Sequence, residues 1–98
     1  MIVITAFISP FSRDREMARN LIMKGHFVEV FIDVPLGVCE QRDPKGFYKK
    51  ARAGEIKDFT GIDSPYEGPV NPELHIINDG ISIEEAANQV LDYLIKYA

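Results

Sequence analysis

Apolar residues near the N-terminus fall into two almost continuous runs, which is the pattern of strands that are covered on both faces. The runs are MIVITAFIS, residues 1–9, and HFVEVFIDVP, residues 26–35. Fully buried strands of this kind are typical of parallel sheets. ELHII, residues 73–77, predicts a short third strand.

Helical periodicity separates these runs. SRDREMARNLIMKG, residues 12–25, predicts a helix with Met17 and Leu21 inward and Gly25 at its end. LGVCEQR and GFYKKARAGEI predict two shorter helices. Ser82 begins a Ser-x-x-Glu capping box followed by apolar residues at helical spacing, which predicts a last helix.

Strands and helices therefore alternate, and this order predicts an α/β fold with a parallel sheet and right-handed crossovers. FTGIDSPYEGPVNP, residues 59–72, is rich in Gly, Pro, Ser and Asp and predicts an ordered loop. About three strands make a thin sheet, and no element precedes the first one. We therefore interpret residues 1–98 as a single incomplete domain, with part of a larger α/β domain missing.

Composition narrows the class of protein. The 98 residues are 46% hydrophobic and 27% charged, with a net charge of −4, which argues against a disordered chain. No apolar run is long enough to span a membrane, and no signal peptide is evident, so we expect a cytoplasmic protein without a membrane partner. Cys39, His26 and His75 lack metal-ligand spacing, and we expect no metal site and structural roles for all three.

Positive charge is concentrated in residues 42–64, which contain six of the eleven Lys and Arg of this acidic chain. A solvated helix face is one reading of such a run. However, Phe47, Tyr48 and Phe59 lie among the cations, and turn residues bracket the segment. These features favour a mobile lid that closes over a nucleotide and neutralises phosphate charge. Nucleic-acid binding is the weaker alternative, because the chain is acidic overall.

Polar residues also follow the first predicted strand. Ser9 precedes a helix, so its hydroxyl either caps that helix or faces an anion at the helix N-terminus, with Arg13 or Arg15 nearby. Arg15 and Arg19 lie one helical turn apart, with Asp14 as an expected salt-bridge partner.

Long stretches of the sequence resemble the C-terminal part of adenylyl-sulfate (APS) kinases, which use ATP to phosphorylate the 3′-hydroxyl of APS and give PAPS. The matching stretches are AFISPF followed by DRE, and VEVFIDVPLGVCEQRDPKGFYKKARAGEIKDFTGIDSPYEGPVNPELHI. With the last helix they cover essentially the whole chain. The resemblance implies a partial P-loop-kinase-like fold of three layers, in which residues 42–64 form the lid.

The resemblance also implies an APS site. Ile8, Ser9 and Pro10 match the Ile-Ser-Pro motif that contacts APS, and the serine is the phosphoserine position of bacterial members. Lys45 matches a lid lysine that contacts APS. Phe59, with Asp58 beside it, matches the lid aromatic that stacks on the adenine of APS.

A second implied site is for ATP, which the family uses with Mg²⁺. Ile81 and Ala86 fall where the family holds the ATP adenine, and Arg42 in QRDPKG is placed to address ATP phosphates. The implied ligands are small molecules, ATP and APS or PAPS.

One part of the family pattern is missing, because no Gly-x-x-x-x-Gly-Lys-Ser/Thr spacing occurs in the sequence. That loop supplies the groups that hold the transferred phosphate and Mg²⁺. We therefore expect the chain alone to be inactive and to need an N-terminal kinase half, with homo-oligomers as another form of association. The alternatives are an inactive module that binds APS or PAPS, and a fragment whose residues serve only packing.

Overall fold

The computed structural model describes residues 1–97. It contains four helices and two strands, in the order α1 Ser12–Asn20, β1 Val30–Asp33, α2 Leu36–Arg42, α3 Phe47–Arg52, β2 Leu74–Ile77 and α4 Ile83–Tyr97. The predicted α/β class is confirmed, because the two strands pair in parallel and helices lie before, between and after them in the chain. Val30 pairs with Leu74 at one end of the ladder and Asp33 pairs with Ile77 at the other.

The N-terminal segment differs from the prediction. Residues 1–11 form no strand, so the first predicted strand, residues 1–9, is wrong, and the sheet has two strands instead of about three. The apolar side chains of the segment are largely exposed: Met1, Ile2, Val3, Ile4, Phe7 and Ile8. A cavity of about 440 Å³ lies between residues 5–8 and the β1 residues Val30 and Ile32. A strand needs a hydrogen-bonded neighbour, and in this structure that neighbour is missing beside the segment.

Burial is slight throughout the described chain. Within residues 1–97 the buried hydrophobic side chains are Ile76, in the centre of β2, and Ala51, in α3. Helix α4 packs against β2, and α2 packs against α3. The predicted inward positions on α1 are wrong, because Met17 is 59% exposed and Leu21 is 80% exposed.

Two local predictions are confirmed at the C-terminal end. The Ser82 hydroxyl oxygen accepts a hydrogen bond of 3.0 Å from the amide of Glu85, as the capping box predicts. Residues 59–72 form a loop whose regular pairing is limited, among the described residues, to an isolated bridge between Thr60 and Ser64. None of the described helices is long and apolar enough to cross a membrane.

A charge network joins α1 to the beginnings of both strands. Arg19 donates two hydrogen bonds of 2.8 Å to the Glu73 carboxylate, and that carboxylate also accepts the amide of Glu29 at 2.7 Å. Arg19 lies 3.6 Å from the Glu29 carboxylate and 3.7 Å from that of Glu16. The glutamates, rather than the expected Asp14, are therefore the partners of Arg19. Two parallel hydrogen bonds fix both distance and angle between a guanidinium and a carboxylate.

This network predicts a pH-dependent stability. The hydrogen bond from Arg19 lowers the pKa of Glu73 below its ordinary value of 4.5. The ionised Glu73 carboxylate contributes fully to the free energy of unfolding above that ordinary pKa. This contribution is lost as the pH falls through the lower pKa of Glu73 in the folded state. We expect Glu73→Gln to reduce the free energy of unfolding by about 1 kcal/mol at neutral pH and by much less near pH 3.

Urea unfolding of the parent and the variant at both pH values measures this difference. Glu55→Gln, at an exposed carboxylate outside the described helices and strands, is the matched control and should change little. An equal loss for Glu73→Gln at the two pH values would contradict the electrostatic origin of the effect.

Candidate functional site

The Ile8-Ser9-Pro10 segment is fixed at its backbone. The Ser9 carbonyl accepts a hydrogen bond of 2.6 Å from Nη1 of Arg15, and the Pro10 carbonyl accepts one of 2.7 Å from the amide of Glu67. Ser9 has a φ of 43°, in the left-handed region that few non-glycine residues adopt. Ile8 is 68% exposed, whereas Ser9 and Pro10 are partly buried.

The contacts at the start of α1 show whether the Ser9 hydroxyl caps this helix. Its N-cap residue is Phe11, whose own side chain forms no capping hydrogen bond. The amide of Ser12 donates to the Glu67 carboxylate at 2.9 Å. The structure therefore does not support the capping role for the Ser9 hydroxyl, and the anion-facing role stays a prediction.

Asp43 organises the turn that carries Lys45. Its two carboxylate oxygens accept hydrogen bonds of 3.1 Å from the amides of Tyr48 and Lys49. These amides lie in the first turn of α3, where they have no acceptor within the helix. Gly46 supplies the positive φ of 70° that the turn requires. Lys45 is exposed, with its Nζ 6.0 Å from the centre of the Phe47 ring. The turn is thus ordered while the lysine amine faces solvent.

Helices α2 and α3 form the rest of the basic segment. Arg52 and Glu40 are joined by a salt bridge of 2.6 Å, so this cation already has an anionic partner. Tyr48 is half-buried between the helices, and burial, together with the neighbouring Cys39, raises the pKa of its hydroxyl. Tyr48 therefore remains neutral at physiological pH.

Phe59 is held by the turn that follows α3. The Asp63 carboxylate accepts hydrogen bonds from the amides of Asp58, at 2.8 Å, and Phe59, at 2.5 Å. Asp58 adopts a φ of 55°, which brings both amides toward one carboxylate. The Phe59 ring contacts Tyr48 edge to face, with ring centres 4.9 Å apart. Two of the three aromatics of the predicted lid, Tyr48 and Phe59, therefore pack on each other.

The predicted ATP contacts lie on different elements. Arg42 is exposed in the last turn of α2, whereas Ile81 and Ala86 are partly buried at the beginning of α4. Both groups of positions follow strands at their carboxyl ends, where ligands of open α/β sheets bind. Their roles toward ATP stay predictions.

The carboxyl edge of the sheet also carries a polar cluster. The amide of Asn78 donates to the Asp33 carbonyl at 2.9 Å, and the Asp33 carboxylate lies 2.9 Å from Nε2 of His75. The His75 ring stacks on Phe31 with ring centres 4.8 Å apart, in agreement with its expected structural role. No group of three or more His, Cys, Asp and Glu side chains within residues 1–97 could hold a metal ion. We assign no step to Mg²⁺.

Sequence reasoning missed Asp63 and Glu67. Asp63 bonds to amides four and five residues away, and an aspartate before Ser-Pro in a loop is a local signal for such a turn. Glu67 contacts residues more than 50 positions away, and no local pattern indicates that contact.

Comparisons with known proteins agree on one family. The model of the adenylylsulphate kinase family matches residues 1–77. An adenylyl-sulfate kinase of Aeromonas hydrophila is 60% identical over 94 residues, covering 96% of this chain and 48% of the relative. A probable adenylyl-sulfate kinase of Bacillus subtilis is 58% identical over 92 residues, covering 94% of this chain and 46% of the relative.

A solved structure supports the same grouping. The APS kinase of Mycobacterium tuberculosis, in complex with AMPPNP and APS, superposes with a TM-score of 0.84 and 53% identity. The match covers 91% of this chain and 52% of that protein. The chain thus spans about half the length of the curated relatives it matches. On the extent of these matches, it belongs to the adenylyl-sulfate kinase family.

Proposed function

We propose that this chain is the APS-binding and lid portion of an adenylyl-sulfate kinase, which transfers the γ-phosphate of ATP to the 3′-hydroxyl of APS. The main observation in support is that the Ile8-Ser9-Pro10 segment is hydrogen-bonded through Glu67 to the loop that continues from the basic segment. The proposed substrate motif and the proposed lid are therefore connected within one folded unit. The solved relative that matches this chain was crystallised with APS and an ATP analogue.

The charge of residues 42–64 suits an anionic ligand. Arg52 is engaged with Glu40, but the other cations of the segment are exposed: Arg42, Lys45, Lys49, Lys50 and Lys57. APS carries a phosphosulfate group, and exposed cations on an acidic chain raise the local concentration of such an anion. We assign the direct contact to Lys45, which projects from the turn that Asp43 fixes.

Stacking supplies the second contact in this proposal. Phe59, beside Asp58, offers an aromatic ring to the adenine of APS, and its backbone is fixed by Asp63. A nucleobase stacked on such a ring gains roughly 1–3 kcal/mol. Closure of the lid would also exclude water from the phosphates, which strengthens each electrostatic contact inside.

For ATP, we assign phosphate contact to Arg42 and adenine contact to Ile81 and Ala86. ATP itself supplies the phosphoryl group, and the chain's own residues bind and orient the two nucleotides. Ser9 is the proposed phosphoserine position. The 98 residues contain no Gly-x-x-x-x-Gly-Lys-Ser/Thr spacing, so in this proposal a further polypeptide segment supplies the electrostatic stabilisation of phosphoryl transfer.

The partner we propose is the N-terminal half of a kinase of this family. The cavity between residues 5–8 and β1 is bordered by exposed apolar side chains and by a strand, β1, that pairs on one side with β2. An added strand would satisfy the free edge of β1 and cover those side chains. A second copy of this chain is the alternative occupant.

A second candidate function is an inactive module that binds APS or PAPS. The missing phosphate loop favours it, because the residues proposed for APS binding do not depend on that loop for their local geometry. The two candidate functions are distinguished by whether PAPS forms when the N-terminal kinase half is added.

We expect PAPS to form only when this chain is mixed with a separately folded fragment that carries a phosphate loop. An ATP-dependent PAPS assay on each piece and on the mixture tests this. If both pieces are folded and associate, and the mixture makes no PAPS although the chain binds APS, the inactive module is the correct function.

Replacing the proposed lid lysine should weaken APS binding. We expect Lys45→Ala to lower APS affinity about tenfold, the usual loss for a hydrogen bond to a charged group. Titration calorimetry with APS measures it. Lys24→Ala, an exposed lysine outside the basic segment, is the matched control and should bind as the parent does. Equal APS affinities of the parent, Lys45→Ala and Lys24→Ala would show that Lys45 does not contact APS.

Asp63 should control the order of the proposed lid aromatic. We expect Asp63→Ala to raise amide hydrogen exchange at residues 58 and 59 about tenfold, because both amides lose their acceptor. Asp79→Ala, at an exposed carboxylate outside the segment, should leave these rates unchanged. Unchanged exchange in Asp63→Ala would show that other contacts fix this turn.

A further inference from the structure

Ser9 has an unusual backbone conformation in a segment without regular structure. Its φ of 43° is one of two positive values at non-glycine residues within 1–97, the other being that of Asp58. Residues 1–11 lie outside the sheet, so no ladder of hydrogen bonds fixes Ser9. A strained φ of this kind persists only where surrounding contacts impose it.

Arg15 supplies those contacts. Its Nη1 donates to the Ser9 carbonyl at 2.6 Å, and its Nη2 donates to the Glu67 carbonyl at 2.5 Å. The guanidinium therefore joins the substrate motif to the loop after the basic segment with two adjacent donors. A lysine amine has the same charge, but it lacks this planar pair of donors.

Glu67 holds the same segment through further hydrogen bonds. Its amide donates to the Pro10 carbonyl at 2.7 Å, and its carboxylate accepts the Ser12 amide at 2.9 Å and, more weakly, the Ser12 hydroxyl at 3.4 Å. The backbone is thus fixed at Ser9, Pro10 and Ser12. Removal of the Arg15 contact alone would leave the strained Ser9 without its partner.

The guanidinium is itself held in place. Its side chain is 10% exposed, its Nε lies 3.4 Å from the Glu29 carboxylate, and its Cζ lies 5.8 Å from the centre of the Tyr66 ring. An arginine restrained by a carboxylate and an aromatic ring has little freedom to release its acceptors.

We propose that Arg15 is a positioning residue that sets the orientation of the Ile8-Ser9-Pro10 motif and thereby the affinity for APS. The inference rests on the proposed function, because it assigns APS to that motif. Arg15 acts through Ser9 and Glu67, and it is not itself proposed to touch APS.

Arg19 provides a control of the same chemistry. It lies one turn further along α1 and bonds to Glu73, and its guanidinium stacks over Phe27 at 4.9 Å. Its described partners do not include residues 8–12 or Glu67, and the carboxylate that it shares with Arg15 is that of Glu29. Substitution of Arg19 should therefore affect stability without changing the motif.

The experiment compares the full chain with its Arg15→Lys and Arg19→Lys variants. We expect Arg15→Lys to lower APS affinity about tenfold in titration calorimetry, since the charge remains but the paired donors are lost. The affinity of Arg19→Lys for APS should stay within about twofold of the parent's affinity. Its loss of thermal stability should be at least as large as that of Arg15→Lys. This split separates positioning from general destabilisation.

A second measurement does not depend on APS. The ¹³Cα and ¹³Cβ chemical shifts of Ser9 report its φ, and in Arg15→Lys they should move toward the values of extended backbone. In Arg19→Lys they should stay at the parent values. Glu67→Gln keeps the backbone amide and carbonyl of residue 67 and an oxygen for Ser12, so its Ser9 shifts should also stay close to the parent.

The outcomes separate the two proposals. If the parent does not bind APS but the Ser9 shifts move in Arg15→Lys, the proposed function fails and the positioning role stands. If APS binds and Arg15→Lys changes neither affinity nor Ser9 shifts, the inference is overturned and the proposed function stands. Equal losses of affinity in Arg15→Lys and Arg19→Lys would also overturn it.

Discussion

The paired hydrogen bonds between Arg19 and Glu73 are the contact on which the arrangement of this chain most depends. Glu73 immediately precedes β2, and its carboxylate also accepts the Glu29 amide just before β1. One carboxylate therefore aligns both strands and ties α1 to them. Few side chains are buried within residues 1–97. Polar contacts therefore hold the helices and strands in positions that a larger hydrophobic core would otherwise stabilise.

Two of the three arginines of helix α1, Arg15 and Arg19, serve different purposes. Arg19 faces the beginnings of the strands, whereas Arg15 faces the segment before the helix and the loop at Glu67. Glu29 lies within 4 Å of both guanidinium groups and so balances the charge of the pair. The same short helix thus connects the part of the molecule that sets the fold with the part proposed to bind substrate. Arg15 and Arg19 are accordingly partly buried, whereas Met17 of the same helix is 59% exposed.

Local pattern was sufficient to predict much of this structure. The strands at Val30–Asp33 and Leu74–Ile77, the helices and the Ser82 cap follow from apolar periodicity and capping chemistry, which involve near neighbours in sequence. The segment MIVITAFIS has the composition of a strand, but strand formation depends on a neighbour, and in this structure none pairs with it. The partners of Arg15 and Arg19 could not be predicted either, because Glu67 and Glu73 are more than 50 residues away. Long-range contacts of this kind leave no periodic signal.

The exposed apolar side chains of residues 1–8 have a consequence for the tendency of this chain to aggregate. Unpaired segments rich in Ile, Val and Phe are where aggregation begins. Chaperones that bind exposed apolar side chains would therefore compete for these residues with the strand that we propose to pair with β1.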